Sequence, residues 1–276
     1  MIDPFDYKEP SCALCGGEEF YYPDPEKPLG TIPVDRIMAK LDDYLDHNEP
    51  DFAQSHLEYW RNEAIALKDK RGELTILSEM MGLYRKRNNE EKGLEAVKTG
   101  VRYVEELKLS DTVSGATVFL NAATALKAFN RPKEALELYE KAEKIYEKEL
   151  PVDDPNRAGL YNNRALTYVD LKQYDNAEKD YFRALDTLSR RPKNENEIAI
   201  TYINIAHMYE HIPSKSVEEI ASLLVKAYET LTSENIVKNG YHAFVLSKCA
   251  PSFGYFGFTE EEAYLSKLSK ELYERN

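Results

Sequence analysis

From Val34 onward, apolar and polar residues recur with a helical period, and six of the seven prolines in that part stand where helices should begin or end. Residues 1–33 differ. They hold the other six of the 13 prolines and a Gly16-Gly17 pair, so they cannot form continuous helix. Within the helical part, "YNNRALTYVDLKQYDNAEKDYFRAL" (Tyr161 to Leu185) places alanines at 165, 177 and 184 among aromatics. A small residue on each of two antiparallel helices lets their backbones approach closely. A third, two turns further along the same face, leaves room for the next pair to dock.

The pattern repeats. Aromatic or leucine residues that should precede a turn lie at Tyr44, Tyr84, Leu126, Tyr168, Tyr209 and Phe253, at intervals of 40, 42, 42, 41 and 44. Residues opening the second helix of each unit are Ala53, Gly93, Ala135, Ala177, Ile220 and Ala263, small except for Ile220, at intervals of 40, 42, 42, 43 and 43. Seven positions on stand Trp60, Gly100, Ala142, Ala184, Ala227 and Lys270, small in the four central units. A single hairpin cannot bury its own apolar stripe, so such units must stack. The expectation is an all-α solenoid of five to six helical hairpins over 34–276, behind an irregular leader at 1–33. Its units fall at about 34–69, 73–109, 116–150, 155–191, 197–234 and 241–276. Ser216 with Glu219 and Thr259 with Glu262 read as capping boxes, and Asp154-Pro155 as an N-cap followed by a first-turn proline. Pro251 falls inside the last unit's first helix, where a kink is expected.

The two stretches "YNNRALTYVDLKQYDNAEKDYFRAL" and "NAATALKAFNRPKEALELYEKAEKIY" resemble the tetratricopeptide repeat (TPR), with units longer than usual and similar to the kinesin light chain type. "IYEKELPVDDPNRAGLYNNRALTY" has the cadence of that type, and "GYHAFVLSKCAPSFGYFGF" is similar to bacterial proteins of this kind. The resemblance implies a right-handed superhelix whose concave side, lined by the first helix of each unit, holds a peptide or protein segment. It also implies ligand-holding asparagines on that side, which here would be Asn121, Asn163 and Asn204, each two residues before a small position.

An asparagine inside a helix costs up to about 0.7 kcal/mol against alanine, and its amide can pair with both groups of an extended main chain. Three in register would form a ladder along the groove. A copied surface residue, or one bonding the neighbouring unit, is the plainer alternative. Glu79 and Lys248 occupy the equivalent position in the second and last units, with Arg85 and Lys86 further along, so opposite charges toward the two ends could orient a ligand. The basic clamp that captures a C-terminal carboxylate in some relatives has no counterpart, since Leu120 and Asn162 stand at such sites.

His207 and His211, in "HMYEH", are one helical turn apart, which suits groove polarity, a response to pH, a metal or plain surface. The metalloprotease pattern is not met, because the glutamate is Glu210. "CALCGG" carries Cys12 and Cys15 with the spacing of one zinc knuckle. No second knuckle follows, and Cys249, His47 and His56 are the only further candidates. Ordinary thiols, a zinc site shared between chains, or redox work stay open. Neither a phosphate-cradling loop nor a nucleophile motif is present, so binding rather than catalysis is expected, with no cofactor beyond that possible zinc. The balance of 49 acidic to 36 basic residues, net −13, disfavours nucleic acid and acidic membranes. No apolar run is long enough to span a bilayer and no secretory signal opens the chain; with only three cysteines, a cytoplasmic address is expected. The partner expected is therefore a protein or peptide, in a scaffold or in a signalling-peptide sensor.

Overall fold

A computed structural model of the protein describes residues 27–47 and 49–275, which form helices and turns with no strand among them. Cys12 and Cys15 lie outside the described residues. The chain divides into two compact units, 1–129 and 130–276.

The first unit contains α1 (Val34–Asp46), α2 (Pro50–Ala66), α3 (Lys70–Lys86), α4 (Glu90–Glu106) and α5 (Val113–Ala128). Each helix packs on the next, and α3 also packs on α5. Close approach explains the small residues. A methyl group at Gly93 would run into the Phe129 ring, and one at Gly100 would meet the end of Met81. The N-cap Asp69 is buried and accepts from the backbone of Gly72 (2.9 Å) and of Ile32 (3.0 Å), tying the segment before α1 to the α2–α3 turn. Tyr84 of α3 donates to Glu58 of α2 at 3.0 Å, joining successive hairpins.

The second unit contains α6 (Pro132–Glu149), α7 (Pro155–Asp170), α8 (Tyr174–Ser189), α9 (Glu195–Tyr209), α10 (Val217–Leu231), α11 (Gly240–Tyr255) and α12 (Thr259–Arg275). Here α7/α8, α9/α10 and α11/α12 are antiparallel pairs, and α9 also lies against α7 and α11. Ala165, Ala177, Ala184 and Ala227 are all wholly buried, as contact between backbones requires. Since α7, α9 and α11 lie side by side while α8 and α10 part, this unit is tighter on the odd-helix side. The parted side holds a cleft of about 730 Å³ floored by Ile198 and Tyr202 and walled by Phe182 and Leu223.

Caps follow the sequence in part. Asp154 accepts from Asn156 N at 2.9 Å ahead of Pro155, and Ser216 and Glu219 form a reciprocal capping box. The second expected box is not formed. Thr259 is already the first helical residue, so it cannot cap, and the Glu262 carboxylate occupies the space beside Gly254 on α11. Ala263 is consequently exposed, and a glycine on the partner helix provides the small contact of this last pair. The α11 helix runs on through Pro251 without interruption.

Candidate functional site

In the first unit, Asn121 of α5 is half-buried, and its amide donates to Ser78 Oγ of α3 at 2.8 Å. Glu79 on α3 is exposed, yet burial by the surrounding protein lifts its carboxyl above the usual range; Asp42 adds to this and Lys86 opposes it. Arg85 lies further along the same helix and is half-buried.

In the second unit, Asn204 of α9 donates to Asn162 Oδ1 of α7 at 3.3 Å, and Asn163 is half-buried beside it in the chain. The two bonds share one register: each asparagine reaches the residue just before its equivalent on the preceding first helix. This is the neighbour-bonding alternative weighed above, and it uses only one donor of each amide. The second amide hydrogen and the carbonyl oxygen remain available to a ligand.

The richest surface lies where α9 meets α11. His207 Nε2 pairs with Ser252 Oγ at 2.9 Å, and its ring lies 4.9 Å from Phe256 and 5.7 Å from Tyr255. Burial lowers the His207 pKa, outweighing the nearby Glu210, and His211 adds to the lowering, which disfavours the charged imidazolium here. His211 is exposed and stacks on Tyr174. No group of three or more metal-ligating side chains occurs among the described residues. The further candidates for a zinc set have other surroundings. His47 and His56 pair with the backbone oxygens of Asp43 and Ile37, and burial pushes the Cys249 thiol up to about 12. Lys248 is exposed, with its ammonium 5.6 Å from the centre of the Phe244 ring.

Three aromatic residues of α11 went unnoticed in the sequence: Tyr241, Phe244 and Tyr255, respectively 49%, 42% and 65% exposed. With Lys248 and Ser252 they sit at steps of 3, 4, 4 and 3 residues, one stripe of a helix. That spacing was legible. Tyr241 donates to Glu197 Oε1 of α9 at 2.9 Å and Tyr255 to Oε1 of Glu210, the residue that caps α9, at 2.5 Å, so both rings are braced yet open to solvent.

This architecture, helical hairpins stacked through small residues, is that of the α-solenoids. A tetratricopeptide repeat family model matches residues 116–156. Among solved structures, BtubC (BKLC) from P. vanneervenii is similar with a TM-score of 0.53 at 18% identity, over 87% of this chain and 91% of that one. The nearly identical TPR-like repeats of a Podosopora anserina kinesin light chain are similar with a TM-score of 0.53 at 17% identity, over 72% and 94%. PilW, a widely conserved type IV pilus biogenesis factor, gives 0.54 at 14%, over 87% and 90%. No curated protein sequence matches the chain. At these identities the likeness is one of fold. Residues 116–156 thus match a tetratricopeptide repeat, and the chain shares the fold of solved proteins with long, kinesin-light-chain-like repeats. No helix among the described residues is long and apolar enough to cross a membrane.

Proposed function

We propose that the protein is a scaffold that holds a peptide or protein segment on the face of its first helices, and that it works by binding rather than catalysis. The observation that carries this reading is the α9–α11 surface. Exposed rings stand there on the same pair of helices as Asn204 and Ser252, polar groups with unused hydrogen-bonding capacity, and Asn163 offers another on the adjoining α7. Apolar area kept open to water beside such groups is the composition of a recognition surface rather than of a solvated face. Within the second unit, His207, His211 and Lys248 would add charge and polarity; in the first unit, Asn121, Glu79 and Arg85 would offer polar contacts of the same kind on their own helices. Each asparagine bond to ligand main chain would contribute about 0.5–1.5 kcal/mol, so the amides set register while the rings supply affinity. The small cysteine complement suits a reducing, cytoplasmic setting.

The test is capture of the native partner by the immobilised chain. Changing Asn121, Asn163 and Asn204 together to alanine should weaken capture by about tenfold or more while helicity and Tm stay near the parent values. Undiminished capture would remove the asparagines from the site. Phe244→Ala, which leaves every described hydrogen bond in place, should weaken capture by about tenfold or more, as for a partly buried aromatic anchor.

A further inference from the structure

Glu197 and Glu210 each accept one tyrosine hydroxyl and have no ion pair with lysine or arginine among the described residues. In each case Oε1 takes the hydroxyl and Oε2 is left as a free acceptor beside an open ring. A carboxylate and an aromatic face set side by side form a receptor for an arginine or lysine head: the oxygen takes the N–H groups and the ring takes the charge. Two such receptors lie on one face. Tyr241 and Tyr255 are fourteen residues apart on α11, or about 21 Å at 1.5 Å per residue. An extended chain covers that span in about six residues. Midway, seven residues from each tyrosine, Lys248 places a cation above Phe244. It disfavours a third basic side chain at the centre and favours an acidic or uncharged one. The whole chain, at net −13, draws cationic ligands toward it.

We infer that the α9–α11 face recognises a basic peptide: an extended segment with two arginine or lysine side chains about six residues apart and an acidic or neutral residue between them. The inference rests on the peptide-holding reading above and names its ligand class. One basic side chain lies on Tyr241 and Glu197, the other on Tyr255 and Glu210.

A random-sequence peptide display library panned on the immobilised full chain tests it. The expected winners carry two basic residues five to seven positions apart, and replacing either one by glutamine weakens the synthetic peptide by about tenfold. The double change Glu197→Gln and Glu210→Gln keeps an acceptor for each tyrosine and removes only the charge. It should weaken the same peptides at least as much, with the circular dichroism spectrum unaltered. Winners without the basic pair, or winners that bind the double variant undiminished, overturn the inference. If such winners still need Asn163 and Asn204, the peptide-holding reading stands without it. A library that yields no winner defeats both.

Discussion

Lys68, Asn88, Lys108, Asn130 and Lys172 adopt φ between 52 and 59, a left-handed backbone that side chains resist. All five close a helix. At four of them the next residue donates back to the carbonyl five residues before it: Asp69 to Ala64, Asn89 to Tyr84, Leu109 to Val104 and Gln173 to Tyr168. Tyr84 and Tyr168 therefore serve twice, filling space with the ring and closing the turn with the carbonyl. Since Ala64 and Val104 close their turns equally well, the carbonyl does not select the residue type, and it is ring packing that calls for an aromatic at this step. The left-handed state costs a side-chain-bearing residue about 1–2 kcal/mol, whereas glycine adopts it freely at an entropic cost of about 0.5–1 kcal/mol. Lys172→Gly should therefore stabilise the protein by about 0.5–1 kcal/mol, read as a higher urea midpoint with unchanged slope. A lower midpoint would show that the lysine stem contributes more than its backbone strain costs.

Between helices, the strongest polar link is centred on Arg164 of α7, only 4% exposed. It donates to Asp180 of α8 at 2.6 and 3.0 Å and to Glu143 of α6 at 2.5 and 2.9 Å. Arg183 adds bonds to Glu143 and to the Tyr161 hydroxyl. Burial pushes the Glu143 carboxyl up, but hydrogen bonds and charge from Arg164 and Arg183 outweigh it and leave the pKa below its ordinary 4.5. A depressed folded pKa means that this stabilisation is present at neutral pH and is lost as pH falls below the ordinary carboxylate range. Arg164→Met leaves two carboxylates in a dry site with only the half-exposed Arg183 to neutralise them, for which a loss of about 2–4 kcal/mol at pH 7 is expected. Because the Glu143 carboxyl, with one of its two arginines gone, then gains from protonation, the gap to the parent should narrow in melts taken from pH 7 to pH 4. A gap independent of pH would mean that the arginine acts by packing alone. This network was not legible beforehand, because Glu143, Arg164 and Asp180 read one by one are ordinary charges on three helices. Steps of 7 and 42 residues make small positions visible without coordinates, but charges that meet across helices leave no period. The last pair shows the converse: Ala263 kept the period, yet Glu262 against Gly254 shifted the contact. At the candidate site the asparagine register was readable from its spacing. Their partners, Ser78 and Asn162, depended on how far neighbouring first helices are displaced along their axes.

Over the whole molecule, nearly every helix contact joins elements adjacent in the chain or one hairpin apart. Stability in such a stack is approximately a sum of local and nearest-neighbour terms rather than a property of one shared core. The protein carries its own reporter of this. Its single tryptophan, Trp60, sits on α2 in the first compact unit, while the Ala165–Ala177 contact lies in the second. Ala177 is wholly buried among Tyr181, Ala165 and their neighbours, so a phenylalanine there has no space to enter. Ala177→Phe should destabilise its surroundings by about 1–3 kcal/mol. If neighbour terms govern, the far-UV circular dichroism transition of the variant broadens or splits and shifts downward, and the Trp60 fluorescence midpoint moves by clearly less. Equal shifts of both signals, with the transition as sharp as in the parent, would mean that the chain melts as a single cooperative body and that local bookkeeping fails for it. The distinction bears on binding as well. In a stack that yields locally, loss of a ligand after a substitution on the α9–α11 face reports on that face alone, and the Asn204, glutamate and Phe244 variants can then be compared free of any change elsewhere in the fold.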